Sequence, residues 1–301
     1  LLSYPDSTPV NASAVTMMNP APGKTYRFAV ADAGSGRDKL VVTISDSASS
    51  VSTWIDATGG NWTDADNWSP IAVPTSTPGT PVLFTTEAQA GGASVTLPGE
   101  AIVGSLLLNS AQPYTFDGTG PLVLDNGGAG AVWTVTNGSH QVSTGLRLDG
   151  SASLSTFSNA AQTVSGLISG NGDLYVNPAA VGGGTVTNSG ANTYAGATTL
   201  GCGTLVANSL ANGGQPSAIG ASSSAAGNLV LGAGTFRYTG PAVTTDRGFT
   251  INPGGAKAAI LKADADITFG GSVQALSGAF IKTGAGTVTL DYHPLANGVE
   301  L

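Results

Sequence analysis

Two pairs of carboxylates stand close enough along the chain to act together: Asp64 with Asp66, and Asp264 with Asp266. Cleaving an acidic polysaccharide needs several carboxylates, or an Arg or Lys base, converging on one face. At i, i+2 in a strand, Asp264 and Asp266 would share a face; at a strand start they would simply be solvated. Asp64 and Asp66 lie between Trp62 and Trp68 in a loop-like stretch. There Asn61, Asp64, Asp66 and Asn67 offer oxygen ligands for Ca²⁺. The same side chains also suit Asx turns that fold the loop while the indoles pack on the first strands.

The remaining chemistry is sparse. His140 and His293 have no His or Cys neighbour at metal-ligand spacing, and His140 reads as part of a turn with Asn137, Gly138 and Ser139. No Gly-x-Ser-x-Gly stands before a helix. Arg237 and Tyr238 are adjacent in a strand-like stretch; together they would make a sugar-binding face, and the simpler reading is an outward-facing Arg. The Gly runs are followed by neither a helix nor a Lys and do not cradle phosphate. Cys202 is the only cysteine, so no disulfide framework exists; between Gly201 and Gly203 it reads as a small, buried, inert packing residue. Asn11, Asn61, Asn67 and Asn137 each begin an Asn-x-Ser/Thr pattern. On this reading no catalytic, cofactor-binding or metal-ligating residue is assigned, no cofactor is expected, and the chain is expected not to be an enzyme.

Composition narrows the classes further. The chain has 301 residues, 41% of them apolar, which is enough for a sizeable core. Only 9% are charged, and 10 cations against 18 acids leave a net charge of −8. Nucleic-acid binding needs clustered Lys and Arg, which are missing. No apolar run reaches the roughly 20 residues of a membrane helix, and the start does not resemble a signal peptide. The chain is not read as disordered, because short blocks of Val, Leu, Ile, Phe and Tyr recur along nearly its whole length.

The elements that must position these residues are strands. No window has helical spacing of apolar residues between good helix formers. Strand-like blocks are expected at 25–31, 39–45, 81–85, 93–97, 105–109, 121–125, 132–136, 145–149, 161–165 and 173–177. Further blocks follow at 185–188, 197–200, 203–207, 228–232, 235–239, 258–262, 265–269, 279–282 and 286–290. Gly and Asn separate them. Self-similarity decides between a sandwich and a solenoid. Gly184-Thr185, Gly203-Thr204, Gly234-Thr235 and Gly286-Thr287 each open an apolar block. A Gly there frees the backbone to turn a corner at positive φ. Repeating the unit stacks strand on strand at about 4.8 Å. At roughly 20–25 residues per turn, residues 90–290 are expected to make about eight to ten turns and a rod of about 40–50 Å without α-helices.

Several stretches resemble the autotransporter-associated β-strand repeat. They are 188–200 (Asn-Ser-Gly-Ala-Asn-Thr-Tyr-Ala-Gly-Ala-Thr-Thr-Leu) with Gly203-Thr204-Leu205, and 277–290 (Ser-Gly-Ala-Phe-Ile-Lys-Thr-Gly-Ala-Gly-Thr-Val-Thr-Leu). The segment from 218–224 to 236–240 is similar to the one that often lies between such repeats. The stretch 59–68 (Gly-Gly-Asn-Trp-Thr-Asp-Ala-Asp-Asn-Trp), with Val73-Pro74 and 82–84, looks like the opening segment of these proteins. The resemblance covers roughly residues 54–290. It implies a right-handed parallel β-helix on large exported proteins of Gram-negative and related bacteria, displayed at the cell surface or released, with the repeat as stalk or scaffold. Where the family runs on into another repeat, this sequence has Asp291-Tyr292-His293-Pro294-Leu295, and no membrane-inserted barrel is read, so autotransport by this chain alone is not expected.

The resulting expectation is an all-β chain with a small N-terminal β element, arm or cap over 1–53 and a parallel β-helix over 54–301. Residues 1–22 are expected to hold an extended arm. The function expected is a non-enzymatic extracellular or cell-surface structural protein that associates with copies of itself into a filament, sheath or scaffold, end to end or by strand exchange. The alternative is a surface adhesin that binds carbohydrate or other cells. Neither nucleic acid nor membrane insertion by this chain is expected.

Overall fold

The computed structural model describes residues 3–5, 24–32, 37–46, 51–178, 183–255 and 257–291. The chain divides into two units, residues 1–51 and 52–301. In the first, Ser3–Pro5 and Lys24–Asp32 flank Arg37–Asp46 in a three-stranded antiparallel sheet. Residues 3–5 therefore pair within their own chain, where an extended arm was expected; the rest of that stretch lies outside the described residues.

The second unit is a parallel β-solenoid of about nine turns. Its first face stacks ten parallel strands from Ser52–Trp54 through Ser105–Asn109 and Leu174–Val176 to Val273–Ala275. The second face stacks ten more, from Gly59–Asn61 through Ala161–Val164 to Ala279–Thr283. Side chains alternate along most of these strands. In Ala258–Ala263 every second residue is buried, as period-2 geometry requires of a strand with one face on a core. Among the described residues the only helical pieces are the two 3₁₀ turns Ala65–Asn67 and Ala226–Asn228.

The third face is divided. Ala101–Val103, Leu122–Leu124, Leu146–Leu148 and Ile168–Gly170 form one sheet, and Val243–Thr245, Ile267–Phe269 and Val288–Leu290 form another. Between them the third side has no strand among the described residues. The chain instead leaves the second face after Thr204–Ala207 and returns to the first face at Leu229–Leu231. This excursion lengthens one turn. First-face strands begin 20–26 residues apart from Pro81 to Thr198 and from Leu229 to Val273, but 31 apart from Thr198 to Leu229.

The glycine of the Gly-Thr starts has a different reason from the one expected. Of the four, only Gly203 has a positive φ (+67°). At Gly184 a Cβ would lie 2.3 Å from the Phe157 carbonyl oxygen, and at Gly286 it would lie 2.1 Å from Ala265 backbone. Those glycines let one turn lie directly on the one below.

The core is richest in rings at its start. Trp54, Trp62, Trp68, Phe84, Tyr114, Phe116 and Trp133 are all buried. Trp68 meets Trp54 and Trp62 edge-on at 5.0 and 4.8 Å between centroids. The series continues through Phe84 to Phe116 at 5.1 Å and from Phe116 to Trp133 at 5.6 Å. Such pairs add about 0.5–1.5 kcal/mol each beyond area burial.

Candidate functional site

The Trp-flanked loop is built as a turn. Asp64 caps the 3₁₀ turn Ala65–Asn67, its carboxylate accepting from the Asp66 backbone N–H at 3.1 Å. The buried Asn67 donates its amide to the Asn61 carbonyl at 3.0 Å. Trp68 donates its indole N–H to the Trp62 carbonyl at 2.8 Å. Two of the four candidate Ca²⁺ ligands are thus engaged in shaping the loop, and Asp66 is exposed. Among the described residues no group of three or more His, Cys, Asp or Glu side chains gathers at one place.

The second carboxylate pair diverges. Asp264 and Asp266 fall on the bend between Ala258–Ala263 and Ile267–Phe269, not inside a strand beginning at 265. Asp264 accepts two hydrogen bonds from Arg237 on the preceding turn, at 2.8 and 2.9 Å. Asp266 accepts from the Thr287 backbone N–H on the following turn at 2.6 Å. Each carboxylate joins adjacent turns. Arg237 and Tyr238 point to opposite sides of their strand: Arg237 is on the outer surface, and Tyr238 is buried and donates its hydroxyl to the Pro241 carbonyl at 2.6 Å. The two do not make one sugar-binding face. Because the Arg237–Asp264 pair is solvent-accessible, Arg237→Ala should lower stability by only about 0.5 kcal/mol, measured as a small shift of the urea midpoint that vanishes at high salt.

His140 is not in a turn. Gly138 makes the turn with φ of +77°, and His140 points inward from the strand Ser139–Val142, 2% exposed. Its Nδ1 accepts from the Tyr114 backbone N–H at 3.0 Å, so Nε2 carries the proton and donates to the Asn137 carbonyl at 2.9 Å. The ring stacks on Tyr114. Burial pushes the imidazole below its ordinary pKa, outweighing the Asn137 carbonyl and the Glu87 charge. The folded state therefore holds His140 neutral. Its contribution to stability is complete above the unfolded value of about 6.5 and is lost as pH falls from there towards the depressed folded value. Urea midpoints measured from pH 7.5 to 5.5 should fall in the natural chain and fall distinctly less in His140→Gln. His293 lies outside the described residues.

Cys202 is half-buried rather than buried. It lines an open corner groove of about 240 Å³ with Pro178, Thr199, Asn252, Pro253 and Lys257, and its thiol donates to the Asn177 carbonyl at 3.4 Å. Of the glycosylation patterns, Asn61 and Asn137 are exposed, Asn67 is buried and Asn11 lies outside the described residues.

Sequence reasoning missed a buried guanidinium that holds three separate acceptors. Arg247 is 1% exposed. Its Nε donates to the Ala211 carbonyl at 2.9 Å, Nη1 to the Ser222 hydroxyl at 3.0 Å and Nη2 to the Gly220 carbonyl at 3.0 Å. Thr245 reaches the same Ala211 carbonyl at 2.8 Å, and Asp246 accepts from the Gly213 N–H at 2.7 Å. The strand end 245–247 thus fastens the 208–228 excursion to the divided third face. Beside it, Asn192 binds the Ile168 N–H and the Ala218 carbonyl, and Tyr194 shares a 2.7 Å bond with Thr198. Nothing in the local sequence around Arg247 distinguishes it from a surface Arg at a corner.

Over 116 aligned residues the chain is 39% identical to "Adhesin BmaC autotransporter" of Brucella suis biovar 1 (strain 1330). The match takes in 36% of this chain and 3% of that protein. No family model matches the chain, and no solved structure matches it. The adhesin match and the stacked parallel sheets together fit the autotransporter-associated β-strand repeat proteins.

Proposed function

We propose that this chain is a solenoid segment of an exported bacterial surface adhesin, and that it serves as a scaffold rather than as an enzyme. The observation that carries this reading is the similarity to an autotransporter adhesin over a third of the chain, on a solenoid whose carboxylates join turns instead of converging. A flat row of exposed Trp, the usual platform for sugar, does not favour this segment, since all four Trp are buried. The reading therefore puts carbohydrate recognition elsewhere than on these indoles. Antibody raised against the chain should label intact cells of the source bacterium and lose its target after brief protease treatment of those cells. Antigen confined to the cytoplasm would overturn the proposal.

A further inference from the structure

Two side-chain amides are enclosed in the solenoid without partners. Gln162 and Asn188 are both 0% exposed. Neither the oxygen nor the nitrogen of either amide has a hydrogen-bond partner among the described residues, and the indole nitrogen of buried Trp133 shares that condition. A buried polar group left so costs about 1–3 kcal/mol, and native structures rarely tolerate five such atoms together.

Their placement is not scattered. Gln162 and Asn188 point inward from adjacent, hydrogen-bonded strands of the second face, with Gln162 opposite Val186 and Asn188 opposite Val164. They are diagonal neighbours, at a separation of about 7–8 Å between backbones that long polar side chains can bridge. Trp133 points inward from the first face one turn before Gln162. The Gln162 column runs from His140 one turn before, through Val186 and Leu205, to Phe236, and the Asn188 column from Val164 through Ala207 to Tyr238.

We infer that the solenoid core at these turns is a hydration site: ordered water bridges the Gln162 and Asn188 amides, with the Trp133 N–H as a further donor. Water is the ligand this chemistry selects. Each amide offers a donor and an acceptor, their register partners on each other's strand, Val186 and Val164, are apolar, and a small molecule able both to donate and to accept satisfies both at once. The site makes the interior of the scaffold partly polar where its third face is divided, and it couples two turns through side chains instead of backbone.

The direct test is a crystal structure of the natural chain at a resolution that shows ordered water. Density for water within about 3.2 Å of both amides is the expected result. A dry interior, or amides bonded straight to each other, would overturn the inference. A solution test stands beside it. Water-oxygen relaxation dispersion should report long-lived internal water, and its amplitude should fall in Gln162→Leu/Asn188→Val, with both single variants coupled in a double-mutant cycle. Unchanged amplitude with two additive, stabilising single substitutions would contradict it.

Discussion

Arg247→Ala is expected to destabilise the solenoid by about 3–5 kcal/mol, the range for removing one partner from a buried, charge-assisted network. The substitution deletes a 1% exposed side chain and its three charge-assisted hydrogen bonds, leaving the Ala211 and Gly220 carbonyls with only the Thr245 and Ser217 hydroxyls and opening a cavity beneath Ser222. Arg247→Lys should recover only part of the loss, because one ammonium cannot reproduce a planar fork aimed at three acceptors. Burial pushes the Arg247 pKa below its ordinary value, yet an Arg stays protonated at any pH at which the protein folds; the effect should therefore be independent of pH between 5 and 9. Urea unfolding gives the magnitude. Limited proteolysis gives the location: cleavage in Arg247→Ala should appear first within 208–228, where the fastening is lost.

Gly166→Ala is expected to be as damaging, although it adds one methyl. Its Cβ would stand 1.8 Å from the Thr144 carbonyl oxygen, backbone of the turn below. Neither turn can give way without breaking the bonds that Ser165 and Gly166 donate to the Val142 carbonyl at 2.9 and 3.2 Å. A loss above about 3 kcal/mol follows, at the severe end of single substitutions. Gly150→Ala is the control, since a Cβ there meets nothing within 4 Å. It should lie within about 0.5 kcal/mol of the natural chain. Equal thermal midpoints for the two variants would show that the turns are not packed backbone on backbone.

Much of the fold was legible because the first and second faces carry strong period-2 patterns. Blocks such as 93–97, 105–109 and 185–188 coincide with Ala93–Leu97, Ser105–Asn109 and Thr185–Asn188. Misses fall on every face: Leu122–Leu124, Leu146–Leu148 and Ile267–Phe269 lie inside expected blocks, whereas Ala101–Val103, Ile168–Gly170 and Val243–Thr245, with no longer apolar block around them, do not, because three residues are too few for alternation to register alone. The turn expected over 137–140 ends sooner: Gly138 makes it, and His140 already points inward from the strand Ser139–Val142. Sequence spacing also suggested pairs that the corners separate. Asp264 and Asp266 are two apart, but the bend sends one carboxylate to the turn before and the other to the turn after. Arg247, Gln162 and Asn188 gave no signal at all. Their significance lies in which turns meet above and below them, and the 31-residue turn that sets this register is not visible in local composition.

The central claim is that residues far apart in sequence climb one axis, turn by turn. Thr115, Gln141, Thr163, Thr187, Val206, Arg237 and Lys262 occupy one outward column of the second face in direct register. Spin labels at Thr115 with Val206, and at Thr115 with Lys262, in a Cys202→Ser background, measure that column by pulsed electron resonance. The first pair is four turns apart and the second six, so the solenoid predicts backbone separations of about 19 and 29 Å at about 4.8 Å per turn. Two equal distances, or a second distance shorter than the first, would contradict the stacked parallel architecture.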